Sequence, residues 1–228
     1  MRNNYRIIKV ELTCRKDRGM GRIIAITNQK GGVGKTTTAI NLSACLAEAG
    51  QRVLTVDFDP QGNTTSGLGL EKGNIDNTVY ELLMGECTVD ECINPSVQER
   101  LDVMPSDVDL AGAEIELLDM EEKESILKKN MELLDGKYDF IIIDCPPLGL
   151  VIDAAIIGHQ SDGAIIVVEA GKTKYRLVQN VKDQLENSGV SVLGVVLNKV
   201  ERKNQKGYYN KYYGSQKYEG YYGHNEET

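Results

Sequence analysis

A glycine-rich loop flanked by two lysines is the feature of this sequence with the most definite chemistry. Residues 30–37 read Lys-Gly-Gly-Val-Gly-Lys-Thr-Thr, between an apolar run and a helix-like stretch, the strand–loop–helix order of a P-loop. Glycines let backbone N–H groups turn toward phosphates, and the positive end of the following helix faces the same anion. In such a motif Lys35 reaches the β- and γ-phosphates and the Thr36 hydroxyl binds Mg²⁺. The sequence therefore predicts a site for ATP and Mg²⁺. The loop residues expected at the nucleotide are Lys30, Gly31, Gly32, Val33, Gly34, Lys35, Thr36 and Thr37.

Three carboxylates follow predicted strands, where a P-loop enzyme needs them. Asp144 ends an apolar strand and is expected to hold Mg²⁺ through water; Asp57 and Asp59 follow the strand after the P-loop helix. One of this pair would orient or deprotonate the nucleophile while the other supports the metal. The predicted metal ligands are therefore Thr36, Asp59 and Asp144.

Two further residues, Lys30 and Asn198, each have two possible roles. Lys30 stands five residues before Lys35, and one phosphate cradle has no need for it. It is a candidate for acting on a nucleotide held by a second subunit, as an arginine finger does; the alternative is a solvent-facing lysine. Asn198, at the end of a late strand, is a candidate for reading the adenine edge, and a turn-forming asparagine is the alternative.

The elements that must position these residues follow from hydrophobic patterning. Runs such as Phe-Ile-Ile-Ile-Asp are typical of parallel strands buried on both faces. Strands are predicted at 22–27, 52–57, 101–104, 140–144, 164–169 and 190–197, and helices at 37–50, 78–84, within 109–134, and at 173–187. Strands that alternate with helices indicate an α/β fold: a doubly wound, mostly parallel sheet in three α/β/α layers, with ligands at the carboxyl ends of the strands.

Composition narrows the class of protein. The chain has 228 residues, 41% of them hydrophobic and 26% charged, values typical of one globular domain. No stretch approaches the ~20 apolar residues of a membrane span. Five cysteines without C-x-x-C spacing predict thiols in a reducing compartment. We expect a cytoplasmic protein. The net charge of −8 disfavours a surface that binds nucleic acid throughout.

Both ends differ in composition from the middle of the chain. Residues 1–19 are polar and predicted to be a disordered lead-in, 20–200 form the P-loop domain, and 201–228 form a flexible tail. Seven of the eleven tyrosines fall in this tail and are candidate phosphoacceptors: Tyr208, Tyr209, Tyr212, Tyr213, Tyr218, Tyr221 and Tyr222.

With these motifs, residues 21–147 resemble the ParA/Soj branch of the deviant-Walker P-loop ATPases. The matching stretches are 24–37, Val-Asp-Phe-Asp-Pro-Gln-Gly-Asn at 56–63, and 105–114. That resemblance implies a nucleotide-sandwich dimer in which Lys30 reaches across and Asp59 supports hydrolysis. Residues 148–228, with Leu-Gly-Val-Val-Leu-Asn at 193–198 and the tyrosine tail, instead resemble the bacterial tyrosine kinases of capsule and exopolysaccharide systems.

Two functions follow from this division. We expect a protein-tyrosine kinase that self-associates and autophosphorylates its tail, with Asp57 accepting the tyrosine proton; the kinase resemblance implies a membrane activator that could hold it at the inner membrane. The alternative is a ParA/Soj-type ATPase, an ATP-dependent dimerisation switch in chromosome or plasmid partition. The tail favours the kinase and Lys30 favours the switch. DNA binding stays an open alternative. The net charge of −8 disfavours it, and so does the last third of the chain, which resembles the kinases instead of the ParA/Soj proteins. The weakest interpretation has the tail rings stacking on nucleic-acid bases.

Overall fold

The carboxyl ends of six parallel strands gather along one edge of a single sheet in the computed structural model of the chain. The structure describes residues 21–96, 98–118, 129–147 and 161–200, so the predicted lead-in and tail lie outside the described residues. The described strands form one seven-stranded sheet in the order β3-β4-β2-β5-β1-β6-β7, with β3 antiparallel to β4. The strands are β1 Arg22–Thr27, β2 Val53–Asp57, β3 Asn94–Pro95, β4 Leu101–Met104, β5 Phe140–Asp144, β6 Gly163–Glu169 and β7 Val192–Asn198.

Strand β1 lies inside the sheet, between β5 and β6, and is apolar on both faces. Ile23 and Ala25 pack into the core on one side, and Ile24 and Ile26 pack into the core on the other. Because side chains alternate across a strand, a run without polar residues needs cover on both faces. The predicted doubly wound α/β fold is confirmed.

Helices supply that cover. They are α1 Lys35–Glu48, α2 Asn63–Gly67, α3 Val79–Met84, α4 Val89–Cys92, α5 Leu110–Leu118 and α6 Tyr175–Asn187, with a 3₁₀ turn at Lys72–Asn74. Helix α1 covers one face, while α3, α4, α5 and α6 contribute to the core on the other. The register of β2 on β5 places Asp57 beside Asp144 at the carboxyl edge of the sheet. Within the described ranges, no helix is both long enough and apolar enough to cross a membrane.

Helix α1 differs from its prediction in start and in phase. It begins at Lys35 rather than at residue 37, because Gly34 adopts a left-handed conformation that allows the helix to start inside the loop. The sequence indicates a broad apolar face on this helix, made of Ile40, Leu42, Ala44, Leu46 and Ala47. Of these side chains only Ala47 is buried, and the other four are half-buried. Small residues bury instead, among them Ala39 and Ser43, and the Ser43 hydroxyl accepts a hydrogen bond from Thr55 Oγ1 at 2.8 Å. Small side chains let this helix approach the sheet closely.

Two short helices and the edge strand were not predicted from the sequence. Helix α4 begins at a capping box in which Thr88 and Glu91 bond each other's backbone N–H groups. Helix α2 follows the loop after β2 and carries two buried threonines, Thr64 and Thr65. Of the predicted helix-rich stretch 109–134, the part at 119–128 lies outside the described residues.

Candidate nucleotide-binding site

The loop between β1 and α1 has the form of an open anion cradle. Gly32 and Gly34 have φ angles of 74° and 102°, a region that side-chain-bearing residues rarely occupy. A Cβ added to Gly31 or Gly32 would meet no atom within 4 Å. Within the described part of the chain, the backbone N–H groups of residues 31–34 find no acceptor. These donors are available to an anion.

Helix α1 adds a positive end to this cradle. Its N-cap is Gly34, which supplies no capping side chain, and its first turn contains no acidic residue. The N-terminal N–H groups and the helix dipole are therefore left to attract an external anion.

The two lysines of the loop lie in opposite environments. Lys35 is buried, with 6% of its surface exposed, whereas Lys30 is exposed. Burial lowers the pKa of the Lys35 ammonium, and the charges of Asp144 and Asp59 oppose this shift. Lys35, a buried cation close to two carboxylates, is suited to bind a phosphate that carries a metal ion. Lys30, an exposed cation, is accessible to a group on another molecule.

A buried asparagine fixes where the loop starts. Asn28 Nδ2 donates to the Val167 carbonyl on β6, and its Oδ1 accepts from the backbone N–H of Gln29 at 2.5 Å and of Lys30 at 3.4 Å. This residue ties the end of β1 to the neighbouring strand. No role for Asn28 was predicted, because its only signal in the sequence is that of a polar residue directly after an apolar strand.

Asp144 combines deep burial with an unused oxygen. Its Oδ2 accepts from the Thr64 hydroxyl at 2.7 Å, while Oδ1 has no hydrogen-bond partner within the described residues. Burial raises the pKa of Asp144 to about 7; the hydrogen bond from Thr64 opposes the shift. A buried carboxylate with a free oxygen beside the Thr36 hydroxyl is chemically suited to Mg²⁺ and its bound water.

No group of three or more histidine, cysteine, aspartate or glutamate side chains in the described ranges could hold a metal unaided. Mg²⁺ does not need such a group, because it is commonly bound by one or two carboxylates together with substrate phosphates and waters.

Asp57 and Asp59 differ in burial and in the number of hydrogen bonds that they accept from the protein. Asp57 is fully buried: its Oδ2 accepts from the backbone N–H and hydroxyl of Thr65, both at 2.8 Å, and its Oδ1 accepts from the Asp59 N–H at 3.1 Å. Burial raises the pKa of Asp57 to about 6. Asp59 is half-buried, and its Oδ1 accepts from the Gln61 N–H at 3.0 Å. The structure thus gives Asp57 an internal network and leaves Asp59 closer to solvent.

The predicted adenine reader lies against the P-loop itself. Asn198 Nδ2 donates to the Val33 carbonyl at 2.8 Å, and its Oδ1 accepts from the Lys199 N–H at 2.8 Å. The contact is close enough that a Cβ on Gly34 would lie 2.1 Å from Asn198 Nδ2. Its role at the base stays a prediction. The tail tyrosines lie outside the described residues, so the structure does not bear on their role as phosphoacceptors.

The sequence of this chain is similar to a known protein family and to characterised proteins. A family model described as an AAA domain matches residues 21–198. The sporulation initiation inhibitor protein Soj of Bacillus subtilis is 44% identical over 198 residues, which cover 82% of this chain and 76% of Soj. The chromosome partitioning protein ParA of Myxococcus xanthus is 52% identical over 143 residues, which cover 62% of this chain and 50% of that protein.

The fold is also similar to solved structures of related proteins. Cobyrinic acid a,c-diamide synthase of Mycobacterium smegmatis, crystallised with an ATP analogue and magnesium, has a TM-score of 0.69 at 33% identity, covering 78% of this chain and 75% of that one. The cell division ATPase MinD of Pyrococcus furiosus has a TM-score of 0.65 at 33% identity, covering 77% and 71%. The single family match runs through residue 147 to residue 198. The division of the chain between two families at that point is therefore not supported, and neither is the tyrosine-kinase resemblance.

Proposed function

We propose that this chain, which belongs to the ParA/MinD-type P-loop ATPases, is a switch that dimerises on binding Mg-ATP and separates after hydrolysis. The relatives described above are named for chromosome partitioning, control of sporulation and cell division. The proposed biological role is likewise partitioning or positioning of a cellular cargo, with a second copy of this chain as the primary partner.

The phosphate grip is assigned to the loop and the start of α1. The N–H groups of residues 31–34 have no internal acceptor, and Lys35 is buried beside them. The loop amides would surround the phosphates, Lys35 would lie at the β- and γ-phosphates, and Thr37 would lie in the first turn of α1, close to them. These roles account for a lysine that is buried at a cost to its charged form.

The metal is assigned to Thr36 directly and to Asp144 through water, with Asp59 in support. When bound, Mg²⁺ neutralises charge on the β- and γ-phosphate oxygens. The partner-free Oδ1 of Asp144 is the observation behind this assignment. A carboxylate whose pKa is raised to about 7 without metal would be held ionised by a neighbouring divalent cation.

The attacking group in this proposal is water, and Asp59 is the residue placed to orient it. Asp57 already accepts three hydrogen bonds from the protein, which supports a role in holding the Asp59 loop. Proton acceptance by Asp57 belongs to the kinase alternative.

The single observation that carries the switch over the kinase is the contrast between the two loop lysines. Lys35 is buried in its own site, whereas Lys30, five residues earlier, is exposed. An exposed cation at the rim of a phosphate site is available to the nucleotide of a facing copy, where it would stabilise developing charge in trans.

The kinase remains a second candidate because of one sequence feature, the seven tyrosines between positions 208 and 222. A membrane activator, location at the inner membrane and a link to exopolysaccharide synthesis belong to this candidate alone. DNA as a partner would belong to the partition role.

One experiment separates the candidates. The full chain is incubated with Mg-ATP, and released phosphate and phosphotyrosine are measured together. The switch predicts phosphate release that Lys35→Ala abolishes and that survives replacement of the seven tail tyrosines by phenylalanine. Stoichiometric phosphotyrosine in the tail, with little free phosphate, would overturn the switch and establish the kinase.

A further inference from the structure

Two side chains from the end of β7 hold two carbonyls of the P-loop. Lys199 Nζ donates to the Gly32 carbonyl at 2.7 Å, and Asn198 Nδ2 donates to the Val33 carbonyl at 2.8 Å. We refer to Asn198 and Lys199 as the β7 clasp. These contacts join residues 167 and 165 positions apart in the sequence, so the fold alone brings them together.

The clasp determines where two loop N–H groups point. In a planar trans peptide the carbonyl and the following N–H point in opposite directions. Holding the Gly32 carbonyl therefore directs the Val33 N–H to the opposite side, and holding the Val33 carbonyl does the same for the Gly34 N–H. Both N–H groups belong to the set without an internal acceptor.

The backbone and the surroundings of Lys199 keep its ammonium at the loop. Lys199 has φ 57°, a left-handed conformation shared by only one other non-glycine residue in the described ranges, Arg100. That region is unfavourable for an L-residue with a side chain. The Lys199 ammonium also lies 3.4 Å from Oε2 of Glu169, whose side chain is only 10% exposed. A strained backbone and a nearly buried counter-charge distinguish this lysine from a freely moving surface cation.

Glu169 also pairs with a second lysine, Lys172, which makes no hydrogen bond to the loop within the described residues. Lys172 Nζ lies 2.7 Å from Glu169 Oε1, and its side chain is 70% exposed. Hydrogen bonds from Lys172 and then Lys199 lower the pKa of Glu169. The two lysines thus carry equal charge next to one carboxylate, but only Lys199 bonds a P-loop carbonyl.

We propose that Lys199 is a positioning residue for the phosphate site: its ammonium holds the Gly32–Val33 peptide so that the Val33 N–H faces the nucleotide phosphates. The inference rests on the nucleotide-binding function proposed above and adds to it a residue outside the P-loop. A charged donor on the carbonyl also polarises the peptide and makes its N–H a stronger donor to phosphate.

The test is a calorimetric titration of the 228-residue chain with ATP in the presence of Mg²⁺. Lys199→Met is expected to raise the Kd about tenfold, as loss of one charge-assisted positioning bond would. Lys199→Arg keeps a donor for Gly32 and a charge for Glu169, so we expect its Kd to stay within about threefold of wild type. Lys172→Met removes the same charge from the same carboxylate and is expected to leave the Kd unchanged.

Each outcome decides the proposal. Wild-type affinity in Lys199→Met overturns it, and so does equal weakening by Lys172→Met, which would reduce the effect to charge alone. Failure of Lys199→Arg to restore affinity also overturns it. If Lys199→Met does not fold, as judged by circular dichroism, Lys199→Leu carries the same test, because it also removes both the donor and the charge. Failure of the nucleotide-binding function itself would look different, because the wild-type protein would then not bind ATP.

Discussion

Replacing Asp144 by asparagine should change the pH dependence of stability in a direction set by the burial of this carboxylate. Asp144 is 1% exposed, and its pKa is raised to about 7 from an ordinary 3.8. In the unfolded chain the group ionises near 3.8, so between pH 4 and 7 the native state binds the extra proton. Stability therefore falls as pH rises through this window and levels off above it. The Asp144→Asn variant has no such group to ionise.

The size of the effect follows from the same two pKa values. Each pH unit between them is worth about 1.4 kcal/mol, and about two of these units lie between pH 5 and pH 7. The stability of Asp144→Asn relative to wild type should therefore rise by about 3 kcal/mol between pH 5 and pH 8. A constant cost of burying the new amide shifts the whole curve and leaves this difference unchanged.

The assay is urea unfolding without nucleotide, in chelator, at pH 5, 6, 7 and 8. Asp139→Asn is the matched control, because a hydrogen bond from Arg52 lowers the pKa of Asp139. A carboxyl whose pKa is lower in the folded chain stabilises the folded state equally at every pH above its unfolded pKa. The effect of Asp139→Asn on the free energy of unfolding should therefore stay constant from pH 5 to 8. The reasoning is refuted if the difference between Asp144→Asn and wild type is also flat, or if it falls with pH.

Two further predictions concern the loop and the acid network. Gly34→Ala should weaken ATP binding about 100-fold in calorimetry, because φ is 102° and the new Cβ would lie 2.1 Å from Asn198 Nδ2; affinity close to wild type would show that the loop tolerates a side chain. Thr65→Val should lower the free energy of unfolding by about 2 kcal/mol, because the Thr65 hydroxyl donates to buried Asp57 and accepts the Ser106 N–H; an unchanged urea midpoint would contradict this role.

Each of these predictions has a control in the chain. Gly73 has an ordinary backbone conformation, and a Cβ there would meet no atom within 4 Å, so Gly73→Ala should leave ATP affinity unchanged. Thr65→Ser keeps the hydroxyl and should retain most of the stability that Thr65→Val loses.

The strands inside the sheet were predictable because a strand that is buried on both faces is an uninterrupted apolar run in the sequence. β1 and β5 have the predicted bounds, since each contains a short apolar run with polar residues at its ends. The phase of α1 was not predictable from hydrophobicity, because small residues such as Ala39 and Ser43 face the sheet. Close packing depends on the shape of the partner surface, which the sequence of one helix does not contain.

At the site, local motifs were predictable and long-range supports were not. The loop lysines and the register neighbours Asp57 and Asp144 lie where strand ends predict them. Asn28 and Lys199 were missed because their partners are 139 and 167 residues away. Such contacts depend on strand order, and for Lys199 also on a left-handed backbone.

The measurement that tests the central claim most directly is the mass of the full chain in solution by light scattering, with Mg²⁺ and either a non-hydrolysable ATP analogue or ADP. A switch predicts twice the chain mass of 25.2 kDa with the analogue and the single chain mass with ADP. Lys30→Ala should bind the analogue but stay monomeric, whereas Lys182→Ala, an exposed lysine paired with Glu186, should dimerise normally. The same mass with both nucleotides, or an analogue-bound dimer that survives Lys30→Ala, would contradict the account.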